Sequence, residues 1–501
     1  MTKFADKPFG LLFLLLTACS NPSEKSVEAT DADADADAFT YEFAQAQEQQ
    51  GWQQVIGILD CIQAPTFPEQ EISVLDYGAK NDSTFDSHTA FQEAVQACHE
   101  AGGGRVVVPA GTYLSNGPIH LLSNVNLHLE EGANIFFGTN PKDYTPLVKV
   151  RWEGTVAYNY SPLIYAYQQE NIAVTGAGTL DGQTEGTWAL WKRDNDGKNQ
   201  DADKKVLRQM GNDTIPEEQR VFGDGFLDLD GDGQDDGYGD GQDHYLRPTL
   251  IEFYECENVL IEGVTLKSSP FWTVHPVFCT NVTIRGLNIQ AGTTNDDGID
   301  PDSCTDVLIE DCTVNTHDDA ISIKAGRDQD AWNRSPTENV IIRNCILASG
   351  VNAVCIGSEM SGGVRNVFVE DCQLRDGKHA LNFKCNLDRG GQVEQVYIRN
   401  LEIASCDEAM FIFRMDYHGY RGNNYPTQFN DFYVSNIRCK TVNERPFKIV
   451  GVEAAPIQRI FLQDITINQT GDSSQIEFAE DILMQDVTVN GENFQPQISL
   501  R

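Results

Sequence analysis

Residues 256–266 have the sequence Cys-Glu-Asn-Val-Leu-Ile-Glu-Gly-Val-Thr-Leu, and residues 279–289 repeat it as Cys-Thr-Asn-Val-Thr-Ile-Arg-Gly-Leu-Asn-Ile. Further copies of this phrase follow at intervals of 23 to 33 residues, beginning at Asp306, Asn339, Asn366 and Gln395. Each copy holds short alternating segments bounded by Asn, Gly and Asp, which indicates β-strands, and no long helical pattern intervenes. About three short strands per period predict an all-β fold, a right-handed parallel β-helix or solenoid.

The repeat also assigns places to its polar residue and its cysteines. The recurrent Asn is expected to stack at one turn, with each amide bonding to the next. Three cysteines precede the phrase and three end it: Cys256, Cys279, Cys304, Cys312, Cys345 and Cys372. A small buried residue in a ladder explains this recurrence more simply than a disulfide framework, although an exported chain could still form bridges. No cysteine spacing resembles a zinc site.

One helix is predicted near the start of the repeats, over residues 87–101. Phe91, Ala94, Val95 and Cys98 recur there at helical spacing, and three glycines end the segment. A short helix at this place is expected to cap the N-terminal end of the solenoid core.

The N-terminal region is predicted to direct export. Residues 1–18 resemble a bacterial lipoprotein signal peptide whose cleavage leaves a lipid-modified Cys19, and the alternative is an ordinary secretory signal. Residues 19–50 are predicted to be a flexible tether because they begin with polar, Asp-Ala-repetitive sequence. Residues 51–501 are assigned to the β-helix domain, with an Asp- and Gly-rich insertion at about 187–246. The expected location is the outer membrane, on its periplasmic or cell-surface face, with membrane contact only through the lipid anchor.

The charge balance excludes one class of partner. The 501 residues include 75 acidic and 36 basic ones, for a formal net charge of −39. A nucleic-acid partner is not expected, because binding phosphates requires a basic face. Nothing in the sequence indicates the oligomeric state.

Three aspartates coincide with the repeat. Asp297 precedes the second residue of the Asp318–Asp319 pair by 22 residues, about one period. Since stacked strands lie ~4.8 Å apart, Asp297 is expected beside the pair on one surface. Converging carboxylates suit acid–base cleavage of a glycosidic bond, and they would also suit a cation such as calcium.

Several motifs occur in a fixed order over residues 71–470. They are Ile-Ser-Val-Leu-Asp-Tyr-Gly-Ala-Lys at 72–80, Pro-Ala-Gly-Thr-Tyr at 109–113, Asn-Asp-Asp-Gly-Ile-Asp at 295–300, His-Asp-Asp-Ala at 317–320 and Gly-Ser-Glu-Met-Ser-Gly-Gly-Val at 357–364. In this order they resemble glycoside hydrolase family 28, the polygalacturonase group, and the last motif resembles its bacterial, often exo-acting branch.

The resemblance implies an inverting glycosidase that acts on an acidic, pectic or algal polysaccharide or oligosaccharide and needs no cofactor. Mapped by motif, Asp318 would be the general acid, and Asp297 and Asp319 would hold and deprotonate the attacking water. Repulsion among three clustered carboxylates favours retention of one proton near neutral pH, which such an acid requires.

Two departures from the family pattern concern substrate recognition. The family's Gly-His-Gly triplet corresponds here to residues 350–352, with Val351 in the place of the histidine, and His317 is a candidate substitute. The family's Arg-Ile-Lys motif is Asn-Phe-Lys at 382–384, so Asn382 cannot supply the charged fork that binds a uronate. A neutral, modified or sulfated sugar therefore stays an alternative. The candidate substrate-binding residues are His317, Lys324, Asn382, Lys384 and Arg389.

The insertion contains a candidate metal site. Asp228, Asp230 and Asp232 match the first positions of a calcium-binding EF-hand loop, but Gly239 stands where the bidentate Glu is needed. A structural calcium and a solvated acidic loop are the two interpretations. The insertion is also expected to close one end of the groove, which would favour exo action.

Two other functions are compatible with a β-helix. A polysaccharide lyase would use Arg or Lys as its base, and the chain offers no basic triad comparable to the three aspartates. A non-catalytic carbohydrate-binding protein is the second alternative, which the changes at Val351 and Asn382 favour.

Overall fold

The repeated phrase forms parallel strands that stack into ladders. The structure is a computed structural model, and it describes residues 38–193, 197–237, 241–417 and 419–499. In the ladder that begins with the phrase itself, valines of successive coils are register partners and are buried: Val259, Val282, Val307, Val340, Val367 and Val396. The fold is the predicted right-handed parallel β-helix.

The helices are α1 (Tyr41–Cys61), α2 (His88–Glu100), α3 (Leu190–Arg193) and α4 (Gln200–Asn212). The strands are β1 (Glu71–Ser73), β2 (Asp82–Asp86), β3 (Gly104–Val108), β4 (Gly111–Ser115), β5 (Ile119–His120), β6 (Val125–Leu129), β7 (Ala133–Phe137), β8 (Val148–Trp152), β9 (Thr155–Asn159), β10 (Ile164–Tyr167), β11 (Glu170–Gly176), β12 (Thr179–Asp181), β13 (Val221–Phe222), β14 (Ile251–Tyr254), β15 (Glu257–Glu262), β16 (Thr265–Lys267), β17 (Val274–Val277), β18 (Thr280–Arg285), β19 (Asn288–Gln290), β20 (Thr305–Glu310), β21 (Thr313–Thr316), β22 (Ile321–Ile323), β23 (Thr337–Arg343), β24 (Ile346–Ser349), β25 (Asn352–Ile356), β26 (Val364–Glu370), β27 (Gln373–Leu374), β28 (His379–Lys384), β29 (Gln392–Cys406), β30 (Ala409–Arg414), β31 (Gln428–Val442), β32 (Arg445–Val450), β33 (Ile457–Thr470), β34 (Gln475–Glu477), β35 (Ala479–Val489) and β36 (Glu492–Asn493).

The strands fall into one large sheet and three small ones. The large sheet holds the ladder of the repeated phrase and the neighbouring ladder that includes β16, β19, β21 and β24. A six-stranded sheet, β22-β25-β28-β30-β32-β34, forms another face. Within the described residues, the antiparallel pairs are β8 with β9 and β35 with β36, and the other paired strands run parallel. One continuous apolar core fills the coils.

The predicted asparagine ladder is present at the turn that begins each phrase. The side-chain amide of Asn258 donates to Asn171 at 3.0 Å, and that of Asn366 donates to Asn339 at 3.0 Å. Asn339 in turn donates to Asp306 at 2.8 Å. These residues have φ between 53° and 59°, a left-handed conformation that Asn and Asp tolerate better than other non-glycine residues. Each bond contributes about 0.5–1.5 kcal/mol, so the ladder fixes the stacking of the coils.

The recurrent cysteines have the structural role that the repeat predicted. The described cysteines, from Cys61 to Cys439, carry free thiols, and those of the repeat are buried. The Cys279 thiol, for example, donates to the backbone carbonyl of Phe253 on the preceding coil at 3.1 Å.

The capping helix is also confirmed, as α2. Phe91, Ala94, Val95 and Cys98 are fully or almost fully buried and belong to the same core as the first coils. The helix thus covers the apolar end that the first coil would otherwise expose to water.

The tether predicted over residues 19–50 is wrong over its last part, because α1 begins at Tyr41. Ala44, Gly51 and Val55 of this helix pack on outward-facing apolar residues of the large sheet: Leu308, Ile341, Phe368, Tyr397, Tyr433 and Phe461. A Cβ at Gly51 would lie 2.1 Å from the Tyr397 ring, so the close approach requires glycine. Packing of the helix on this row of apolar residues removes both from water, which stabilises the helix. The compact unit accordingly begins at Phe39.

The predicted signal peptide, the lipidation site Cys19 and residues 19–37 of the tether lie outside the described residues. Among the helices that the structure describes, none combines the length and the apolar character needed to cross a bilayer.

The insertion folds over the side of the β-helix. It contains α3, α4 and β13, and β13 pairs with β9 of the β8–β9 hairpin. Leu207 and Phe222 of the insertion share a small apolar cluster with Trp152, Phe271 and Trp272 of the solenoid body. The side chain of Arg220 forms a buried ion pair with Asp330 at 2.6 Å, which fixes the insertion to the body.

Candidate active site

The three aspartates predicted to converge lie together on one face of the β-helix. Ile299 is the bridge partner of Ile321, which places Asp297 and Asp319 two residues before these partners on adjacent coils. One carboxylate oxygen from each of Asp297, Asp318 and Asp319 lies within 4.8 Å of the others. Asp297 and Asp319 are buried, and Asp318 is partly exposed to the surface.

The backbone around the trio is fixed by neighbouring side chains. One carboxylate oxygen of Asp296 accepts from the backbone N–H groups of His317 and Asp318, both at 3.0 Å. The Ser349 hydroxyl donates to the Asp318 carbonyl at 2.6 Å. A Cβ at Gly298 would lie 2.4 Å from the Ala320 carbonyl oxygen, so glycine is needed for the two coils to meet here.

Two lysines place positive charge against the trio. The ammonium group of Lys384 lies 2.8 Å from a carboxylate oxygen of Asp319. That of Lys324 lies 3.4 Å from Asp297, 3.6 Å from Asp300 and 3.7 Å from Glu359. Both ammonium groups are almost fully buried. These two charges offset part of the negative charge of the trio and so lower its attraction for a cation, although the three carboxylates are close enough to hold one.

The surroundings separate the acidities of the three carboxyls. Burial, followed by the charge of Asp319, raises the pKa of Asp318 to about 6. Burial and the charge of Asp318 raise the pKa of Asp297 well above its usual value. Burial also acts against ionisation of Asp319, but the charges of Lys384 and Lys324 outweigh it and lower its pKa below the usual value. The surroundings therefore favour the ionised form of Asp319 and disfavour that of Asp297 and Asp318, and with a pKa of about 6 Asp318 keeps its proton mainly at mildly acidic pH.

Val351, which stands where the family pattern has its histidine, is followed by a residue that contacts the trio. Val351 lines the surface, whereas the side-chain amide of Asn352 donates to Asp319. His379, the strand partner of Asn352, contacts its amide oxygen at 2.8 Å through Nδ1. The amide of Asn382 donates to the same oxygen at 2.8 Å. The sequence interpretation missed Asn352 and His379, and the register of β25 and β28 would have placed them together.

The other predicted substrate-binding residues separate into two groups. Lys324, Lys384 and Asn382 lie at the trio or one residue from it. Arg389 does not, because its buried guanidinium binds Asp328 at 2.6 Å and Ser358 at 3.2 Å. The His317 ring is 63% exposed and contacts Asp296 at 3.1 Å, so it adjoins the trio from the surface side.

Buried ionisable groups extend beneath the trio, and the sequence did not single them out. Asp300 is fully buried, its oxygens accept no hydrogen bond from the residues that the structure describes, and burial raises its pKa to about 7. His275 lies 3.4 Å from each of Glu252 and Asp302. Hydrogen bonds to those carboxylates outweigh burial and raise the pKa of His275 to about 9. These groups form a buried layer of ionisable side chains beneath Lys324, the lysine that contacts Asp297.

The Asp-rich loop brings together a different trio from the one predicted. Asp228, Asp230 and Asp236 can direct oxygens to one point, whereas Asp232 is not part of that group. The Asp232 carboxylate instead accepts from the backbone N–H of Gln234 at 2.7 Å. The Asp228 carboxylate accepts from two glycine N–H groups, so local hydrogen bonds already satisfy part of the loop. A calcium ion in this loop stays a prediction.

A cavity of about 190 Å³ lies beside Asp319. It is lined by Val351, Asn352, Lys378, His379, Asn382, Lys384, Glu408, Arg414 and Tyr417. The cavity lies over β25, β28 and β30 and thus extends from the trio toward the C-terminal coils. The insertion lies toward the other end, where Arg247 donates to the Thr294 carbonyl at 2.7 Å and to Asn295 at 2.9 Å.

Comparison with known proteins agrees with this fold. The family model described as "Glycosyl hydrolases family 28" matches residues 207–487, and that described as "Rhamnogalacturonase A/epimerase, pectate lyase-like" matches residues 71–128. A "Probable polygalacturonase" of Vitis vinifera is 28% identical over 420 residues, which cover 81% of this chain and 75% of that protein. An "Exo-poly-alpha-D-galacturonosidase" of Dickeya chrysanthemi is 26% identical over 398 residues, covering 73% of this chain and 61% of that protein.

A solved structure gives a stronger match. The hyperthermoactive exopolygalacturonase from Thermotoga maritima is 36% identical with a TM-score of 0.81, over 90% of this chain and 97% of that chain. These matches identify a glycosidase with a β-helix fold. The chain belongs to family 28 of the glycosyl hydrolases.

Proposed function

We propose that this glycosidase hydrolyses pectic polygalacturonate or its oligosaccharides, with Asp318 as the general acid and Asp297 and Asp319 activating water. The observation that carries the proposal is the separation of acidities within the trio. A protonated carboxyl with a pKa of about 6 can donate to the leaving oxygen, while an ionised Asp319 can orient or deprotonate water. Relatives named as polygalacturonases support the choice of sugar.

Inversion at the anomeric carbon is part of the proposal, and it rests on family membership. Inverting enzymes with a single acid–base pair hold the two carboxyl groups about 6.5–9.5 Å apart. Here the closest oxygens of the trio lie within 4.8 Å, so the spacing itself does not argue for inversion. That distance range applies to enzymes with one acid and one base. In the arrangement proposed here, two carboxylates share the activation of water.

Exo action is the further part of the proposal. The insertion packs on the solenoid through Phe271 and Trp272, and the Trp272 ring lies 4.5 Å from the ammonium group of Lys324. Phe271 and Trp272 precede β17, one coil before Asp297, whereas the 190 Å³ cavity lies over the coils that follow Asp319. A wall on the side of Phe271 and Trp272 would admit a chain end rather than a continuous chain.

Product analysis tests sugar, mode and stereochemistry together. We expect purified protein to release mono- or digalacturonate from polygalacturonate from the earliest times, with the inverted anomer in NMR spectra. A ladder of intermediate oligomers would refute exo action, and the retained anomer would refute inversion. An unsaturated product absorbing in the ultraviolet would identify a lyase. Binding of the polymer without any cleavage would identify a non-catalytic protein.

The pH profile should report the proton on the general acid. Because Asp318 must be protonated in the free enzyme, kcat/KM should fall as pH rises through about 6, and by about tenfold per unit well above that. Asp319 has a lowered pKa, so activity should persist on the acidic side until that carboxylate is protonated. Measurement of kcat/KM between pH 4 and 8 checks this, and a constant value from pH 6 to 8 would contradict the assignment.

We also propose a cellular location for this enzyme. An exported enzyme of a bacterial outer membrane, lipidated at Cys19, would act on polymer fragments outside the cytoplasm. Globomycin sensitivity of signal-peptide cleavage, compared between the native chain and Cys19→Ala, tests the lipid anchor.

A further inference from the structure

The cavity beside Asp319 is lined by more basic than acidic side chains, in contrast to the chain as a whole. The sequence as a whole has a formal net charge of −39, yet three of the nine residues that line the cavity are Lys378, Lys384 and Arg414. Its volume of about 190 Å³ equals roughly six water molecules of the liquid, which suits one sugar unit and not an extended chain.

The two lysines among these cations differ in their contacts. Lys384 lies 2.8 Å from the buried carboxylate of Asp319. Lys378 lies 3.9 Å from Glu408, the one carboxylate that lines the cavity, and Glu408 also contacts His379 at 3.2 Å. Burial lowers the pKa of His379 to about 4, so its ring adds no charge near neutral pH.

Arg414 is the guanidinium among the three cations that line the cavity. It stands at the end of β30 as the register partner of Lys384, one coil away, or about 4.8 Å. Its Nε donates to Asp416 at 3.1 Å, and within the described residues its two Nη groups donate to no protein oxygen. The Asp416 side chain is 77% exposed, and such a solvated pair contributes little.

A guanidinium with free Nη groups is a ligand site for a carboxylate. It offers parallel N–H donors in a planar fork that matches a carboxylate in two bonds, which an ammonium group cannot do. Asn382 on the neighbouring strand carries no charge, and its amide nitrogen is used on Asn352. The Arg414 side chain is 28% exposed, so a ligand that enters the cavity can reach it.

We propose that Arg414 binds the carboxylate of a uronic acid unit held in this cavity, next to the bond that is cleaved. The inference rests on the proposed function and adds to it the residue that selects an acidic over a neutral sugar. The selection thus comes from β30, one coil beyond the position that sequence motifs assign to substrate recognition.

The test uses two monosaccharides that differ in the carboxylate alone, galacturonic acid and galactose. Calorimetric titration of the full chain is expected to show that Arg414→Gln weakens binding of galacturonic acid by about 10- to 100-fold, the range for a lost hydrogen bond to a charged group. Binding of galactose should stay within about twofold. Arg414→Lys should recover part of the affinity, and Arg365→Gln, which removes an exposed arginine on another sheet, is the matched control.

The outcomes separate this inference from the function it rests on. Equal affinity of the native chain and Arg414→Gln for galacturonic acid would overturn the inference, as would an equal loss for both sugars or no binding of galacturonic acid at all. Failure of the native chain to cleave polygalacturonate would overturn the proposed function and leave the binding comparison valid. An Arg414→Gln variant that loses only the acidic sugar supports the inference in either case.

Discussion

Replacing Asp318 by Asn is expected to lower kcat by about 10²- to 10⁴-fold, the usual contribution of a positioned general acid. The amide keeps the shape of the carboxyl but has no proton to give to the leaving oxygen. Binding of oligogalacturonate should change little, because the variant removes an interaction made in the transition state. Initial rates at saturating and limiting substrate, with titration of the uncleaved ligand, measure both quantities.

The stability of this variant separates chemistry from folding. Burial and the neighbouring carboxylates disfavour the ionised form of Asp318, so the neutral amide should leave the melting temperature unchanged or raise it at pH 7. Asp311→Asn, an exposed change on the same coil, is the matched control and should keep full activity. Activity of Asp318→Asn near the native value would remove Asp318 from the role of acid.

Replacing Lys384 by Met should produce the largest loss of stability. The Lys384 and Asp319 side chains are 7% and 1% exposed, and removal of the lysine leaves a buried carboxylate with only the Asn352 amide and the more distant Lys324 to offset its charge. The expected cost is about 3–5 kcal/mol of the free energy of unfolding, measured by urea denaturation. Activity should fall as well, because the pKa of Asp319 would rise and remove the ionised base.

The pH dependence of stability and a double variant test whether the loss in Lys384→Met comes from the Asp319 charge. In the native chain the lowered pKa of Asp319 gives stability that is present above its unfolded pKa and is lost as pH falls through the folded pKa. In Lys384→Met the pKa of the buried Asp319 carboxyl should rise, so protonation at pH 4 relieves the uncompensated charge and the deficit should be smaller there than at pH 8. The double variant Lys384→Met with Asp319→Asn should recover most of the stability and none of the activity. A loss below about 1 kcal/mol in the single variant would contradict a buried, obligatory pair.

Much of the fold followed from the repeat because stacking is nearly one-dimensional. A phrase that recurs once per coil places each residue beside its equivalent, so the asparagine ladder, the free cysteines and the meeting of Asp297 with Asp319 were predictable from spacing. The capping helix α2 followed from helical periodicity. In each case neighbours in space are separated by one period in sequence.

Three features of the structure were not predicted because they depend on contacts that the repeat does not determine. The tether was extended to residue 50 because the composition of its first part is polar, whereas α1 is held by a row of aromatic and aliphatic side chains more than two hundred residues away. Asp236 and not Asp232 joins the acidic group of the insertion because the loop folds back on itself. Arg389 is buried against Asp328, a contact between coils that no motif reveals.

The sequence by itself determined the parallel β-helix, its cap and the position of the three aspartates, since these depend on periodicity and on residue type. Only the tertiary structure decided which carboxyl holds the proton, because acidity depends on burial and on the lysines that approach from neighbouring coils. It also decided that Asn352 reaches Asp319 and that Arg414 lines the adjoining cavity. These facts depend on the depth and direction of side chains, which the spacing of residues does not encode.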